Sequence, residues 1–157
     1  MNESVACCGL FCESCGVYIA TEKDPVELER IALKMGTSPS EMPCKGCRSE
    51  LLSPHCRDCY FRSCTQKRGL VNCEECSDYP CAGLLDFQTK MPHRAELFAS
   101  AKYRKEYGLE AWHDKMIADY SCAECGEINS PYYEKCRKCG HKPVNSFAER
   151  NAGLFGK

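Results

Sequence analysis

The chain has 157 residues, with 21 Lys or Arg against 22 Asp or Glu and a formal net charge of −1. This length suits one domain, or one domain with a small module. If sixteen cysteines filled four zinc sites, each site carrying −2, the net charge would be about −9, which argues against nonspecific nucleic-acid binding. No run of about 20 apolar residues occurs, so the sequence predicts no membrane span.

Cysteine spacing is the dominant pattern. Twelve of the sixteen cysteines form Cys-x-x-Cys pairs, which let both sulfurs turn toward one metal ion. Loops of two residues suit disulfides poorly, and the N-terminal residues lack the basic start and apolar run of a signal peptide. We therefore expect a cytoplasmic protein with metal thiolates. The pairs are Cys12/Cys15, Cys44/Cys47, Cys56/Cys59, Cys73/Cys76, Cys122/Cys125 and Cys136/Cys139, and the single cysteines are Cys7, Cys8, Cys64 and Cys81.

The N-terminal part predicts helix after the first cysteines. Residues 7–20 combine a metal-type spacing with a short apolar segment that favours the first turns of a helix. Asp24 is a good N-cap, Pro25 fits the first helical position, and Glu27 completes a capping box. We expect Gly36 to end this helix. Its predicted buried face comprises Leu28, Ile31, Ala32 and Met35.

Residues 44–81 hold eight cysteines but few aliphatic side chains. Such a segment needs cross-links to offset a chain entropy of about 1–2 kcal/mol per residue. The spacing C-x2-C-x4-C occurs at Cys56 to Cys64 and again at Cys73 to Cys81, offset by 17 residues. We interpret this echo as a half-repeat of one metal-binding turn.

Residues 82–119 contain no cysteine and predict helices that supply an ordinary core. Pro92 opens a helix with Leu97, Phe98 and Ala101 turned inward. Gly108 breaks that helix. Leu109, Trp112 and Met116 then mark one face of a further helix.

The C-terminal part has the pattern of a zinc ribbon. Cys122 and Cys125 are followed by Gly126, Cys136 and Cys139 are followed by Gly140, and ten residues separate Cys125 from Cys136. A glycine at each of these places can adopt a left-handed conformation that turns backbone N–H groups toward the sulfurs. A site of four thiolates has no open position, so we expect a structural zinc.

The other twelve cysteines permit more than one pairing. In chain order they form three groups of four, and an interleaved arrangement is equally permitted. Adjacent side chains diverge, so Cys8 is the predicted ligand and Cys7 a buried or free thiol. His55 could complete a site that is one ligand short, although a solvent-facing role is the simpler interpretation. The predicted upstream ligands are Cys8, Cys12, Cys15, Cys44, Cys47, Cys56, Cys59, Cys64, Cys73, Cys76 and Cys81.

An iron–sulfur cluster is the alternative to zinc, because four soft thiolates accept either metal. The spacing Cys8-x3-Cys12-x2-Cys15 also occurs in radical S-adenosylmethionine enzymes. The chain is too short for the partial barrel of those enzymes and lacks their alternating strands and helices.

Several of these motifs together resemble a prokaryotic cysteine-rich family catalogued as domain of unknown function 3795, to which zinc binding is usually ascribed. The resemblance covers about residues 6–110, and the ribbon looks like an appendage carried by some members. It implies metal binding and a cytoplasmic protein but no activity, with Cys7 and Cys56 the least regular positions. The motifs are the segment 8–15 with Tyr18 and Ala20, the segment 44–47, the pair Cys59 and Cys64, and the segment 73–76 with Tyr79-Pro80-Cys81.

The sequence thus predicts a small, metal-stabilised α+β protein that holds three or four zinc ions. Its expected divisions are a cysteine-rich domain with helices at 1–119, a ribbon at 120–143 and a loosely ordered tail at 144–157. No phosphate loop, catalytic triad or dinucleotide turn is recognisable, so an interaction module for protein or nucleic acid is favoured over an enzyme. Basic residues with Tyr132 and Tyr133 near the ribbon suggest nucleic acid as one partner. An iron–sulfur or thiol-based redox protein is the alternative.

Overall fold

The computed structural model describes residues 4–156, which are mostly helical. These residues fall into two compact units, one ending at Tyr79 and the other beginning at Pro80. The α+β expectation is not confirmed, because the described part of the chain has two isolated β-bridges, Val5 with Phe11 and Ser121 with Ile128, in place of strands. None of the helices in residues 4–156 has the length and apolar character needed to cross a membrane.

The first unit is built from short helices between cysteine-bearing turns. Helices α1 (Gly16–Lys23) and α2 (Pro25–Lys34) follow a 3₁₀ turn at Cys12–Ser14. Helices α3 (Pro54–Arg57) and α4 (Tyr60–Lys67) come next, and a second 3₁₀ turn occupies Cys73–Glu75. Buried cysteines are part of the core of this unit, as expected for a segment with few aliphatic residues. The buried side chains include Val5, Cys7, Cys8, Phe11, Ile19, Ala20, Ala32, Met42, Cys44, Cys47 and Phe61.

The helix signal at Asp24 is confirmed. The Glu27 amide donates a 3.0 Å hydrogen bond to the Asp24 carboxylate, which caps α2 as predicted. The Glu27 carboxylate pairs with Arg30, so the capping box is made in one direction. Gly36 ends the helix with φ +67°. The predicted buried face is wrong at Met35, which is 56% exposed because it lies at the C-cap beyond the last helical turn.

The second unit packs helices around a conventional apolar core. Helix α5 (Ala82–Thr89) and a 3₁₀ turn at Pro92–Arg94 precede α6 (Leu97–Tyr120). Gly108, with φ +88°, interrupts α6 as predicted. Trp112 and Met116 are buried on the predicted face, whereas Leu109 beside the break is exposed. The core includes Leu84, Leu97, Ala101, Trp112, Met116, Tyr120 and Phe147.

Residues after the ribbon form two short helices where the sequence analysis expected a loosely ordered tail. These are α7 (Ser146–Arg150) and α8 (Ala152–Phe155). The Phe147 ring is buried and stacks on Tyr120, with 4.9 Å between ring centroids. Arg150 forms ion pairs with Glu96 and Asp119, which join α7 to both ends of α6. The boundaries of the predicted domains remain a prediction.

Candidate metal centres

The ribbon consists of two turns with the same backbone hydrogen bonds. The Gly126 amide donates to the Cys122 carbonyl, and the Gly140 amide donates to the Cys136 carbonyl, both at 2.9 Å. Each first cysteine donates its own amide to the carbonyl of the residue after the glycine, again at 2.9 Å in both turns. The glycines have φ values of +73° and +77°, as the sequence predicts. The two turns are therefore built alike and present their thiols in the same way.

The four ribbon sulfurs have the spacing of a tetrahedral metal site. Their Sγ atoms all lie within 4.8 Å of one another, and the pairs Cys122–Cys139 and Cys125–Cys136 are 3.6 Å apart. Zn–S bonds of about 2.3 Å in a tetrahedron require sulfurs about 3.8 Å apart, which the site matches. A disulfide would need about 2.0 Å. The ribbon thiols therefore fit a metal ion, which would be held by four sulfurs and left with no open position.

Electrostatics within this ribbon site are compatible with a bound cation. Burial raises the pKa of Cys136, but the amides of Cys139 and Lys138 and the Asn129 side chain outweigh it and lower the pKa to about 6. At Cys139 the His141 amide lowers the pKa, but desolvation and the other three thiols raise it to about 12. One thiolate is thus favoured at the expense of another, because like charges at this distance repel. A divalent cation would remove that repulsion.

Asn129 is a supporting residue that sequence reasoning did not identify. Its side chain is fully buried and lies between the two turns of the ribbon. The amide Nδ2 donates to the Glu127 carbonyl at 2.8 Å and to Cys136 Sγ at 3.4 Å, while Oδ1 accepts from the Arg137 amide at 3.0 Å. Residues that hold the ligands of a metal in this way tune its affinity. A buried asparagine has no distinct sequence signal among ten intervening residues.

In the first unit, Cys7 lies against Cys47. Their Sγ atoms are 3.4 Å apart, and the Cys7 amide donates a 3.0 Å hydrogen bond to Cys47 Sγ. Both residues are buried. The hydrogen bond to Cys47 and burial raise the pKa of the Cys7 thiol well above its usual range. The Cys12 thiol and burial raise the pKa of Cys47, although the hydrogen bonds from Cys7 oppose them. Cys7 is therefore buried, as the sequence predicts, and lies beside the predicted ligand Cys47.

The thiols of Cys44 and Cys56 shift each other's pKa. The hydrogen bond from Cys56 lowers the pKa of Cys44 to about 5, although burial opposes it. The same bond, burial and the charge of Cys44 raise the pKa of Cys56, with a smaller contribution from Cys15. Ser53 is buried beside this pair, and its carbonyl accepts the Cys56 amide at 3.0 Å. Cys56 and Cys44 therefore interact electrostatically, and one thiolate is favoured at the expense of the other.

The remaining upstream cysteines are less closely grouped. Burial raises the pKa of Cys8 to about 12, and the charges of Cys59, Cys47 and Cys73 add to the effect. Arg68 Nη1 lies 2.8 Å from Cys76 Sγ and 2.9 Å from Asp78. Cys64 lies one helical turn before Arg68. It also raises the pKa of that guanidinium, but by less than Asp78 and Cys76 do.

The structure therefore brings the predicted ligands together to different degrees. Among residues 4–156, the ribbon cysteines are the one group of three or more potential ligands that lie within 4.8 Å of one another. Upstream of the ribbon, the Cys7 and Cys47 thiols meet across 40 residues of sequence. Cys81 belongs to the second unit, at the start of α5. His55 is exposed, and His93 Nδ1 lies 2.7 Å from the Tyr132 hydroxyl.

Comparison with known proteins gives a family but no described activity. No curated protein matches the chain significantly, and no solved structure does so either. A family model described as "Protein of unknown function (DUF3795)" matches residues 4–86, which is more than half of the chain. The matched region contains all the upstream cysteines and stops before the ribbon. The chain therefore belongs to the DUF3795 family of proteins of unknown function.

Proposed function

We propose that this is a cytoplasmic zinc-binding protein whose metal ions hold together a module that binds a protein partner. The ribbon carries the proposal, because four sulfurs 3.6 to 4.8 Å apart suit a single tetrahedral ion with no position for a substrate. Zinc in such a site stabilises the fold and performs no chemistry of its own. Any recognition would then come from the surfaces that the metal holds in place.

The charges around the ribbon favour a protein over a nucleic acid as the partner. Of the basic residues at 130–157, Lys157 lies outside the described residues. Three of the other five are engaged: Arg137 pairs with Glu127, Lys142 with Glu134, and Arg150 with Glu96 and Asp119. Tyr132 packs its ring edge-on against Phe155. Cations that are already paired with carboxylates are less available to phosphates.

Helix α2 supports a protein partner directly. Val26 is 77% exposed and Leu33 is 68% exposed. These two apolar side chains are seven residues apart and thus share one face of the helix. Exposed apolar side chains grouped on one helix face are typical of protein recognition surfaces.

Metal analysis and a binding comparison test the proposal. Anaerobically purified chain should be colourless and contain zinc, whereas a brown protein absorbing near about 400 nm would support the iron–sulfur alternative. Any partner recovered with the intact chain should be lost with V26D/L33D. It should be retained with L154D, which alters an apolar side chain of similar exposure in the second unit. Salt-sensitive binding of RNA or DNA in an electrophoretic shift assay would overturn the choice of a protein partner.

A further inference from the structure

Helix α2 has an inner face and an outer face. The inner face packs into the first unit, where Ala32 is fully buried and Leu28 and Ile31 are half-buried. The outer face is exposed, yet its two ends are apolar, with Val26 at one end and Leu33 at the other. A surface helix usually keeps polar side chains on the face that points away from the core. The two apolar ends therefore indicate a surface that another protein covers.

Two residues of opposite charge lie between these apolar ends. Glu29 and Arg30 share the outer face with Val26 and Leu33, because positions i, i+3, i+4 and i+7 lie on one side of an α-helix. Both charged residues are exposed, and the Arg30 side chain is 67% exposed. Along the helix, the outer face is therefore apolar, acidic, basic and apolar in turn.

This order of residues is complementary to itself when two copies of α2 lie antiparallel. A two-fold axis between Glu29 and Arg30 places Val26 opposite Leu33 of the second copy, and Glu29 opposite Arg30 of the second copy. Apolar side chains then meet at both ends, and opposite charges meet in the middle. The same axis passes through the centre of α2, which spans Pro25–Lys34. The register that pairs the charges therefore also gives the longest overlap of the two helices.

A parallel arrangement of the two helices lacks this complementarity. Its two-fold axis brings each residue opposite its own copy, so Glu29 would face Glu29 and Arg30 would face Arg30. Like charges placed opposite each other disfavour association. The charges of the outer face therefore select the antiparallel arrangement.

Arg30 is already oriented by a contact within its own helix. Its Nε and Nη2 atoms donate to the Glu27 carboxylate at 2.7 and 2.6 Å. A guanidinium has five N–H donors, so it can pair with two carboxylates at once. Because the contact with Glu27 restricts the Arg30 rotamers, less side-chain entropy is lost when Arg30 meets Glu29 of a second copy.

We infer that the partner of the outer face of α2 is a second copy of this chain, bound antiparallel, which rests on the proposed function because it identifies the protein partner. Helix α2 has 10 residues and is about 15 Å long. This contact alone therefore buries less than the roughly 1,200 Å² of a stable interface. The dimer is accordingly weak and forms with a dissociation constant of about 10 μM to 1 mM.

Sedimentation velocity of the intact, metal-loaded chain under reducing conditions measures this association. We expect a reversible monomer–dimer equilibrium between about 10 μM and 1 mM. V26D/L33D should remain monomeric over this range. The matched control K34E should dimerise as wild type does, because Lys34 is exposed on the same helix but lies off the outer face. A wild-type chain that stays monomeric throughout, or a V26D/L33D dimer as stable as wild type, would overturn the inference.

Charge reversal tests the antiparallel register. E29R places two arginines opposite each other and R30E places two glutamates opposite each other, so each variant should associate about tenfold more weakly than wild type. A mixture of E29R and R30E should form heterodimers, because each central contact then joins opposite charges again. E29R/R30E should dimerise on its own for the same reason. Circular dichroism checks that each variant is folded, and failure of both rescues would overturn the antiparallel contact.

The proposed function and the dimer can fail separately. If the chain stays monomeric while a different protein binds it and is lost with V26D/L33D, the second copy is the wrong partner and the proposed function stands. If V26D/L33D changes neither self-association nor the binding of any other protein, the proposed role of this helix face is wrong as well.

Discussion

The side chain of Asn145 donates a 2.9 Å hydrogen bond to the backbone carbonyl of Asn129, the residue that supports Cys136. Asn145 is buried, and its Oδ1 accepts the Ala148 amide at 2.9 Å as the N-cap of α7. One asparagine thus connects the C-terminal helices to the candidate metal site. The packing of residues 144–156 and the stability of the ribbon are therefore expected to be coupled.

The two roles of Asn145 can be separated by substitution. N145A removes both the cap and the donor to Asn129 and should lower the free energy of unfolding by about 2–3 kcal/mol. N145S keeps a capping oxygen and loses only the donor, so it should cost about 1–2 kcal/mol. Urea unfolding of both variants measures the difference. Equal losses would show that the bond to Asn129 contributes nothing beyond the cap.

Loss of the Asn129 side chain should weaken metal binding. In N129A the Cys136 thiolate loses a donor and the Arg137 amide loses its acceptor, so we expect about 10- to 100-fold lower metal affinity. Competition with a chromophoric chelator gives this affinity. The control N151A alters an asparagine that bonds Glu96 and the Phe147 carbonyl away from the thiols, and it should leave the affinity unchanged. An N129A protein with wild-type affinity would contradict the support role.

Alanine at the ribbon glycines should be costly for a conformational reason. A Cβ at Gly126 or Gly140 meets nothing within 4 Å, so no steric clash is expected. Both positions have positive φ, where a side chain costs roughly 1–2 kcal/mol. We expect G126A and G140A each to lose about that much stability in chemical denaturation. G153A, in equally open space within α8 and without positive φ, should be neutral or slightly stabilising.

The ion pair between Glu96 and Arg150 should make stability depend on acid pH. Burial raises the pKa of Glu96, but the hydrogen bonds from Arg150 and Asn151 outweigh it and lower the pKa below its usual value. A carboxyl with a lowered pKa stabilises the fold fully above its unfolded value of about 4.3. That contribution is lost as the pH falls through the folded value.

A variant without the Glu96 charge isolates the contribution of this ion pair to the free energy of unfolding. E96Q keeps the size and an acceptor oxygen but cannot ionise. At pH 7 it should be less stable than wild type by about 0.2–1 kcal/mol, because the pair is partly exposed. The difference should shrink as the pH falls below about 4, where both proteins carry a neutral group. Metal release in acid affects both chains alike, so a constant difference across pH would contradict the assignment.

Metal removal should unfold the ribbon and residues 44–81. Neither region has enough aliphatic side chains to fold without cross-links, and structural zinc contributes folding free energy directly. We expect a strong chelator to lower the helical circular dichroism signal and the melting temperature, and restored zinc to reverse both changes. An unchanged melting temperature after complete metal removal would contradict a metal-stabilised fold.

Local sequence patterns were sufficient to predict several features of the structure. The ribbon follows from Cys-x-x-Cys-Gly repeated at short range, because each turn closes within six residues and requires its own glycine. The cap at Asp24 and the break at Gly108 are likewise local, since both depend on backbone conformation at a single position. Helix faces near an end were predicted poorly, and Met35 and Leu109 are exposed. The sequence cannot show how far a neighbouring element extends to cover them.

The sequence by itself determined where the main cysteine-bearing turns lie and which four C-terminal cysteines come together in one cluster. Which upstream thiols meet was decided only by the tertiary structure. Cys7 and Cys47 are 40 residues apart, and their 3.4 Å contact depends on how separate loops pack. The spacing of cysteines along the chain constrains the positions of their sulfurs only within a few residues. Contacts between residues 40 apart in the sequence depend on the burial and hydrogen bonding of the segments between them. Asn129 and Asn145 became recognisable for the same reason, since a buried polar side chain is informative only once its partners are known.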